Sequence, residues 1–396
     1  MLSFRDALER LLANVPAARE EMCRIETAVG RVLRQPITAD RDFPAFDRVM
    51  MDGFALRAED WNAGIREFRV TGSAPAGAPR IGLSGNGTCV EVMTGAPSPL
   101  GADAILPVEE VLRRDDGGVV FRETKVTAGE FIHRAGIDAG EGSILLEAGT
   151  LLGGRELGVA ASCGAAELWV SKLPEIAVLA TGDELVGVDE IPLPHQIRQS
   201  NAHAIAASLQ RAGFPARTSG VLSDEVHASR DGLTKILSEH DWVILTGAVS
   251  MGARDFVPVL LDELGCKKLF HGVAQRPGKP AGCWIGPAGQ VVMTLPGNPV
   301  SALTGLHVFV LPALAKATGL KETPRRRVVM EDRQVRLPGM TRHLPVRLRD
   351  DGRAEPAPTG NSGDFIGLLR SDGCITLPPR GESIGITAAF QFTPWL

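Results

Sequence analysis

The sequence predicts a multidomain α/β plus β protein. Its parts are a central three-layer α/β domain with a mostly parallel sheet at 175–322, a small β domain inserted at 47–135, a mixed N-terminal domain made of 1–46 and 136–174, and a C-terminal β domain at 323–396. Three observations predict it. From Pro174 to Gly319 strand-like and helix-like segments alternate at the lengths of βαβ units. Between about 65 and 135, short apolar runs are separated by turn-forming stretches such as Gly85-Asn86-Gly87 and Asp115-Asp116-Gly117-Gly118. After Pro324 the helical period fades into short segments rich in Pro and Gly.

Length agrees with several domains, since 396 residues exceed one ordinary core. Hydrophobic residues make up 44% and charged residues 22%, a globular balance. The net charge of −5 gives no basic surface for nucleic acid or an anionic membrane. The Arg325-Arg326-Arg327 run is offset by Glu331, Asp332, Asp350 and Asp351, so it reads as a solvated linker or strand face. Six scattered cysteines, with no CxxC and no histidine at ligand spacing, argue against a zinc site and a disulfide framework. The N-terminus carries an early acid and no apolar core, unlike a signal peptide, so a cytoplasmic protein is expected. The apolar run from Val300 to Ala317 holds His307, Pro312 and Lys316 and reads as a buried helix, not a membrane span.

Along the chain, leucines at 2, 8, 11 and 12 with Phe4 predict a short amphipathic helix over 1–14. A helix follows at 154–164, stopped by its glycine. Ile176-Ala177-Val178-Leu179-Ala180 reads as a strand buried on both faces. Then come a helix at 200–213 with Ser200 or Asn201 as N-cap, a strand at 216–222, a helix at 225–240 and a strand at 242–245. A helix at 255–265, a strand at 291–295 and a helix at 299–319 complete the alternation. Parallel sheets of this kind bind ligands outside the carboxyl ends of their strands.

Three loops fall at such ends: Thr181-Gly182-Asp183-Glu184, the Thr246–Asp255 loop, and Leu295-Pro296-Gly297-Asn298-Pro299. A loop leading from strand to helix offers backbone N–H groups and the positive end of a helix dipole, and glycine lets phosphate approach. No Walker A or GxGxxG signature is present, so ATP hydrolysis and dinucleotide redox chemistry lack their usual mark. Arg276-Pro277-Gly278-Lys279-Pro280 adds two cations around a rigid turn, suited to an oxyanion; a plain surface turn is the alternative. Glu184 and Asp255 are placed to hold a divalent cation or orient water, though Asp255 also suits an N-cap. Taken alone, Met51-Asp52-Gly53-Phe54-Ala55 and Met93-Thr94-Gly95-Ala96-Pro97 read as structural turns, and the histidines as ordinary residues.

These segments, in this order, resemble the molybdopterin molybdenumtransferase family, known as MoeA in bacteria and as the enzymatic C-terminal part of gephyrin in animals. The resemblance runs from about 30 to 390. It is carried by Asp42-Phe43-Pro44-Ala45-Phe46-Asp47, the two turn motifs just named, Gly101-Ala102-Asp103-Ala104 and Arg134-Ala135-Gly136-Ile137-Asp138. Further on it is carried by Ala180-Thr181-Gly182-Asp183-Glu184-Leu185, Val249-Ser250-Met251-Gly252, Pro277-Gly278-Lys279-Pro280 and Leu295-Pro296-Gly297-Asn298-Pro299-Val300-Ser301-Ala302. The resemblance implies insertion of molybdenum from molybdate into adenylylated molybdopterin, with release of AMP and a divalent cation such as Mg2+. It implies a four-domain homodimer with a molybdopterin-binding type α/β domain, and an active site between that domain of one subunit and N-terminal segments of the other. Small-molecule substrates, the molybdopterin adenylyltransferase and recipient molybdoenzymes are the implied partners, with no nucleic acid and no membrane.

By motif position, Asp52, Thr94, Asp138, Glu184, Asp224 and Asp255 fall on polar active-site positions of the family, and Lys279 joins them as the cation. Glu184 and Asp255 are the implied metal ligands. Lys279 and Arg276, around Gly278, would hold phosphate and molybdate oxygens. Thr181, Gly182 and Asp183 form the first loop, and Gly247, Ser250 and Gly252 would cradle the nucleotide or pterin phosphate. Pro296, Gly297, Asn298 and Ser301 would line the pterin end, and Ser362, within Thr359-Gly360-Asn361-Ser362-Gly363, is the C-terminal contribution. Ala248, Arg276, Ile137, Arg48-Val49-Met50 and Ile366-Gly367 depart from the family pattern. Two other readings stay open: a tungstate-specialised member, and a catalytically weakened paralogue that binds and delivers the cofactor. Ala248 and the lost polar positions favour the paralogue; the retained carboxylates and Lys279 favour catalysis.

Overall fold

A computed structural model describes residues 1–122, 125–222, 226–247, 256–322, 324, 326–330, 336–380 and 389–396. Contacts divide the chain into two compact units. One comprises Met1–Arg34, Ala148–Gly153 and Leu168–Leu396, the other Gln35–Glu147 and Gly154–Glu167.

The second unit is built on a six-stranded mixed sheet. Its spatial order is Ala104–Pro107, Gly53–Leu56, Thr88–Val92, Glu67–Ala74, Gly118–Phe121 and Val111–Arg113. Phe54, Leu56, Trp61, Phe68 and Phe121 pack one face, and Val49, Ala55, Val90, Val92 and Ile105 the other. Burial on both faces explains why these strands are short apolar runs without clean alternation. Gly53 sits where strands crowd: a Cβ there would lie 1.9 Å from the Leu106 carbonyl oxygen, so no side chain fits.

The first unit opens with helix α1 (Phe4–Asn14), N-capped by Ser3, whose hydroxyl accepts from the Asp6 N–H at 3.1 Å. Ala7 and Leu11 are buried, with Phe4, Leu8 and Leu12 packed beside them, one stripe at helical spacing. The α/β elements follow: β1 (Ile176–Thr181), α2 (Asn201–Arg211), β2 (Ala216–Leu222), α3 (Val226–Glu239), β3 (Trp242–Thr246), α4 (Phe256–Glu263), β4 (Lys267–His271), β5 (Val273–Arg276), β6 (Gly282–Ile285), β7 (Val291–Leu295), α5 (Pro299–Gly305) and α6 (Leu311–Ala317). The sheet order is β2-β1-β3-β7-β6-β4. Ile176, Val178, Trp242, Ile244 and Met293 pack into one core, and Ala177, Leu179, Val243, Leu245 and Val292 into a second. Alternate residues of each strand thus feed opposite layers. Each buried Leu, Ile or Val side chain contributes about 1.5–3 kcal/mol to holding those layers.

The sheet is mostly parallel, as the sequence predicts: β1, β2, β3 and β7 are parallel, and β6 and β4 add an antiparallel edge. The helix expected over 299–319 is interrupted by a π segment, Leu306–Val310, before Pro312. Pro312 lacks the N–H an unbroken α-helix needs, and the wider turn accommodates that loss. Pro299–Ala317 is long and apolar enough to cross a membrane by length and composition, yet 72% of its most apolar window is buried inside the protein.

The C-terminal elements are β8 (Arg327–Val329), β9 (Thr341–Leu348), α7 (Phe365–Leu368), β10 (Gly373–Leu377) and β11 (Ala389–Pro394). Their sheet runs Leu2–Ser3, β5, β9, β10, β11, β8, with Ala354–Pro356 against β9. β5 therefore leaves the α/β sheet's neighbourhood in sequence and pairs, in parallel, with β9.

Candidate functional site

The carboxyl ends of β1, β3 and β7 meet. Gly247 has φ +115°, and a Cβ there would lie 2.2 Å from the Thr181 carbonyl oxygen and 2.4 Å from Thr181 Oγ1. The first two loops touch at this glycine. A Cβ on Gly297 would stand 3.6 Å from the Gly247 Cα, which brings in the third loop. Asn201 Nδ2 donates to the Gly297 carbonyl at 2.7 Å and to Thr246 Oγ1 at 3.2 Å, and Thr246 Oγ1 donates to the Pro296 carbonyl at 3.2 Å. Ser200 is the N-cap residue of α2 but makes no side-chain cap bond; the asparagine beside it ties loops together instead.

Two polar groups here are unspent. Thr181 Oγ1 is buried without a hydrogen-bond partner among the described residues. Buried hydroxyls are normally satisfied, so an orphan at strand ends marks a place for a ligand or water. Glu184 is exposed, and its carboxylate oxygens fold back to 2.6 and 2.7 Å from the Cβ position of Gly182. Among the described residues no donor or cation pairs with that carboxylate, and exposed Asp183 lies beside it.

The cationic turn lies next to this constellation. The Val273 N–H donates to the Lys279 carbonyl at 2.8 Å, closing the turn from Val273 to Lys279. A Cβ on Gly278 would stand 3.7 Å from the Ser301 carbonyl, so the turn abuts the first turn of α5. Arg276 and Lys279 are exposed. Strand register sets Arg276 opposite Arg342. Burial, and then the charge of Arg276, pull the Arg342 pKa below its ordinary value. Asn298 Nδ2 donates to Ser362 Oγ at 3.0 Å, and the Val300 N–H to the Ser362 carbonyl at 3.1 Å. Asp364 accepts from the N–H groups of Gly360 and Gly367, which hold its carboxyl below the usual range and shape the loop carrying Ser362.

Asp52, Thr94 and Asp138 belong to the second unit. Gly53 pairs with Val92, so the register of that sheet brings Asp52 to Thr94. Asp52 Oδ1 accepts from the Thr94 N–H at 2.7 Å and from its hydroxyl at 2.8 Å, and these bonds hold the carboxyl below its usual range. Asp138 instead meets His133 Nε2 at 2.9 Å. Asp224, Ser250, Gly252 and Asp255, and with them Ala248, lie outside the described residues.

The structure thus joins Thr181, Gly182, Gly247, Pro296 and Gly297 at one edge, sets Arg276, Gly278 and Lys279 beside Ser301, and links Asn298 to Ser362. Sequence reasoning missed Asn201 and Arg342. Asn201 carried a signal as a polar residue opening a helix; Arg342 is joined to Arg276 only by strand register. As for a metal, no group of three or more His, Cys, Asp or Glu side chains forms among the described residues. Glu184 and Thr181 do offer hard oxygen donors, the type a magnesium-like cation takes.

The sequence matches the family models for the MoeA N-terminal region (domain I and II) over residues 2–164, the probable molybdopterin binding domain over 177–316, and the MoeA C-terminal region (domain IV) over 327–394. It is 35% identical over 399 residues to the molybdopterin molybdenumtransferase of Synechocystis, covering 100% of both chains. This chain belongs to the MoeA family. It is also 36% identical over 391 residues to the molybdopterin molybdenumtransferase of Synechococcus elongatus, covering 96% of each. Among solved structures it is similar to a molybdopterin biosynthesis MoeA protein from Pyrococcus horikoshii, with a TM-score of 0.83, 27% identity and 100% coverage of both chains. The MoeA architecture of N-terminal, central and C-terminal regions accounts for the multidomain fold and the mixed sheets.

Proposed function

We propose that this protein is a molybdopterin molybdenumtransferase, which inserts molybdenum from molybdate into adenylylated molybdopterin and releases AMP. The observation that carries the reading is the meeting of the Thr181, Gly247 and Gly297 loops, with the Arg276–Lys279 turn set against Ser301. That arrangement suits a ligand with several anionic oxygens: amides and glycines admit phosphate, and cations stand beside them. Lys279 acts as a point charge, and Arg276 and Arg342 as forks, on phosphate and molybdate oxygens. They stabilise the negative charge that grows on the departing AMP phosphate. Glu184, with Asp255, would hold a divalent cation such as magnesium, which supplies charge neutralisation at the phosphates. Ser362 and Asn298 would orient the pterin end.

A homodimer completes the proposal, with Asp52, Thr94 and Asp138 supplied to the site by the second copy. Met50, Met93 and Ile137, sequence neighbours of those residues, are 51%, 47% and 64% exposed, which supports a covered surface there. The expected setting is the cytoplasm, with an adenylyltransferase as supplier and molybdoenzymes as recipients.

Reconstitution tests this. Protein, adenylylated molybdopterin, molybdate and magnesium should yield AMP and active cofactor, and Asp255→Ala should stop AMP release. Tight binding without AMP release would favour the delivery reading, and turnover with tungstate alone the specialised one. Mixing inactive Asp52→Asn and Lys279→Gln proteins should restore roughly a quarter of wild-type activity if subunits share sites, since about half the dimers are mixed and each has one intact site. No recovery would refute the shared site.

A further inference from the structure

The turn that carries Lys279 is held from beneath by a chain of buried polar side chains. Gln275 and His343 are each 1% exposed. Gln275 Nε2 lies 3.1 Å from the Gly278 carbonyl oxygen. That oxygen only accepts, so the amide nitrogen must face it, and Gln275 Oε1 must face the other way. There it meets His343 Nε2 at 3.3 Å. An amide oxygen also only accepts, so the imidazole proton sits on Nε2. Nδ1 is then bare, and accepts from the Thr376 hydroxyl at 3.2 Å. Register makes this possible: His343 faces Thr376 across β9 and β10, and Gln275 faces Thr341 across β5 and β9. The Phe4 ring meets the imidazole edge-on, 4.6 Å between centroids. Burial drives the His343 pKa down to about 3, so the ring stays neutral near pH 7.

Two apolar side chains would fill the same space. A polar chain in its place costs desolvation, and what it adds is direction: each bond dictates the orientation of the next. We propose that His343 is a positioning residue for the anion site, acting through Gln275 to set the 276–279 turn so that Lys279 and Arg276 stand in one arrangement before the ligand arrives. The fixed turn lowers the ordering cost of binding. The inference rests on reading that turn as a phosphate clamp.

The test uses the full chain, with inorganic pyrophosphate as probe in calorimetry and adenylylated molybdopterin in turnover. His343→Phe keeps the ring volume and loses both hydrogen bonds. We expect it to weaken pyrophosphate roughly five- to tenfold and raise KM similarly, with kcat changed less than about twofold. His343→Gln, which restores a donor to Gln275, should recover most of the affinity. In a Lys279→Gln background His343→Phe should cost clearly less than in the wild type, because one of the two cations it positions is gone. Nitrogen-15 spectra should show His343 as the neutral Nε2–H tautomer from pH 5 to 8, and Gln275→Leu should lose that fixed preference. Full pyrophosphate affinity in folded His343→Phe, an equal loss in the Lys279→Gln background, or an Nδ1–H tautomer would overturn the proposal. If His343→Phe fails to fold, Gln275→Leu and His343→Gln decide by the same readouts. A wild-type protein that neither binds pyrophosphate nor releases AMP would sink the functional reading and this inference together. An active wild type with an unchanged variant sinks the inference alone.

Discussion

Gly247→Ala gives the sharpest trial of the strand-end geometry. The new methyl would sit 2.2 Å from the Thr181 carbonyl oxygen and 3.0 Å from its carbonyl carbon. Those atoms are backbone in a strand hydrogen-bonded to its neighbour through five register pairs, so they cannot step aside. The residue also holds φ +115°, a region costly for any side chain. Strain of about 1–3 kcal/mol and overpacking of about 1–3 kcal/mol sum to about 2–6 kcal/mol. Against a typical domain stability of about 5–15 kcal/mol, that loss is large. Hydrogen exchange followed by mass spectrometry reports the local opening energy of peptides spanning β1 and β3, and should show protection falling by that amount. Gly297→Ala is the control. Its Cβ would make an ordinary 3.6 Å contact and its φ is unstrained, so a change under about 1 kcal/mol is expected. Equal exchange in wild type and Gly247→Ala, or equal damage from both alanines, would refute the close meeting of the loops.

Three further outcomes follow from the geometry. Arg342→Gln should weaken pyrophosphate binding roughly tenfold and flatten its salt dependence; unchanged calorimetry would remove Arg342 from the site. Thr94→Val deletes one of the two bonds that depress Asp52, so carboxyl carbon NMR should show its pKa rising part-way towards about 3.9. A depressed carboxylate stabilises the fold above its unfolded pKa and loses that effect as pH falls through the folded value, so the variant should lose it at a higher pH; an unmoved titration would exclude the hydroxyl. Brief alkylation of the native protein should modify Cys23 and Cys163, which are partly exposed, and spare Cys89, Cys266, Cys283 and Cys374, which are buried. Burial pushes Cys89 and Cys374 up to about 12, so early mass shifts on them would contradict the packing.

The strands at 176–181, 242–246 and 291–295 were legible because burial on both faces demands unbroken apolar runs, and few other structures do. The β4–β6 edge was not. Lys267 and Lys268 precede Leu269 and Phe270, and such a half-exposed strand mixes polar and apolar residues without a period of its own. The π segment escaped notice for a different reason: Pro312 announces a break, but packing chooses where the turn widens. In the site, the strand-end loops could be read from glycines between strand and helix. Asp52 and Thr94 could not be paired by local reasoning, since 42 residues separate them and only the Gly53–Val92 register unites them. The same holds for Gln275 and His343, 68 residues apart.

The excursion of β5 into the C-terminal sheet has a consequence for biosynthesis. During translation the segment bearing Gln275 and Arg276 emerges well before Thr341 and Arg342, its neighbours in register. Until those later strands leave the ribosome, β5 has only Leu2–Ser3 to pair with, along its other edge. If that corner grips an anion as proposed, its full framework is therefore assembled late, when β9 has paired with β5.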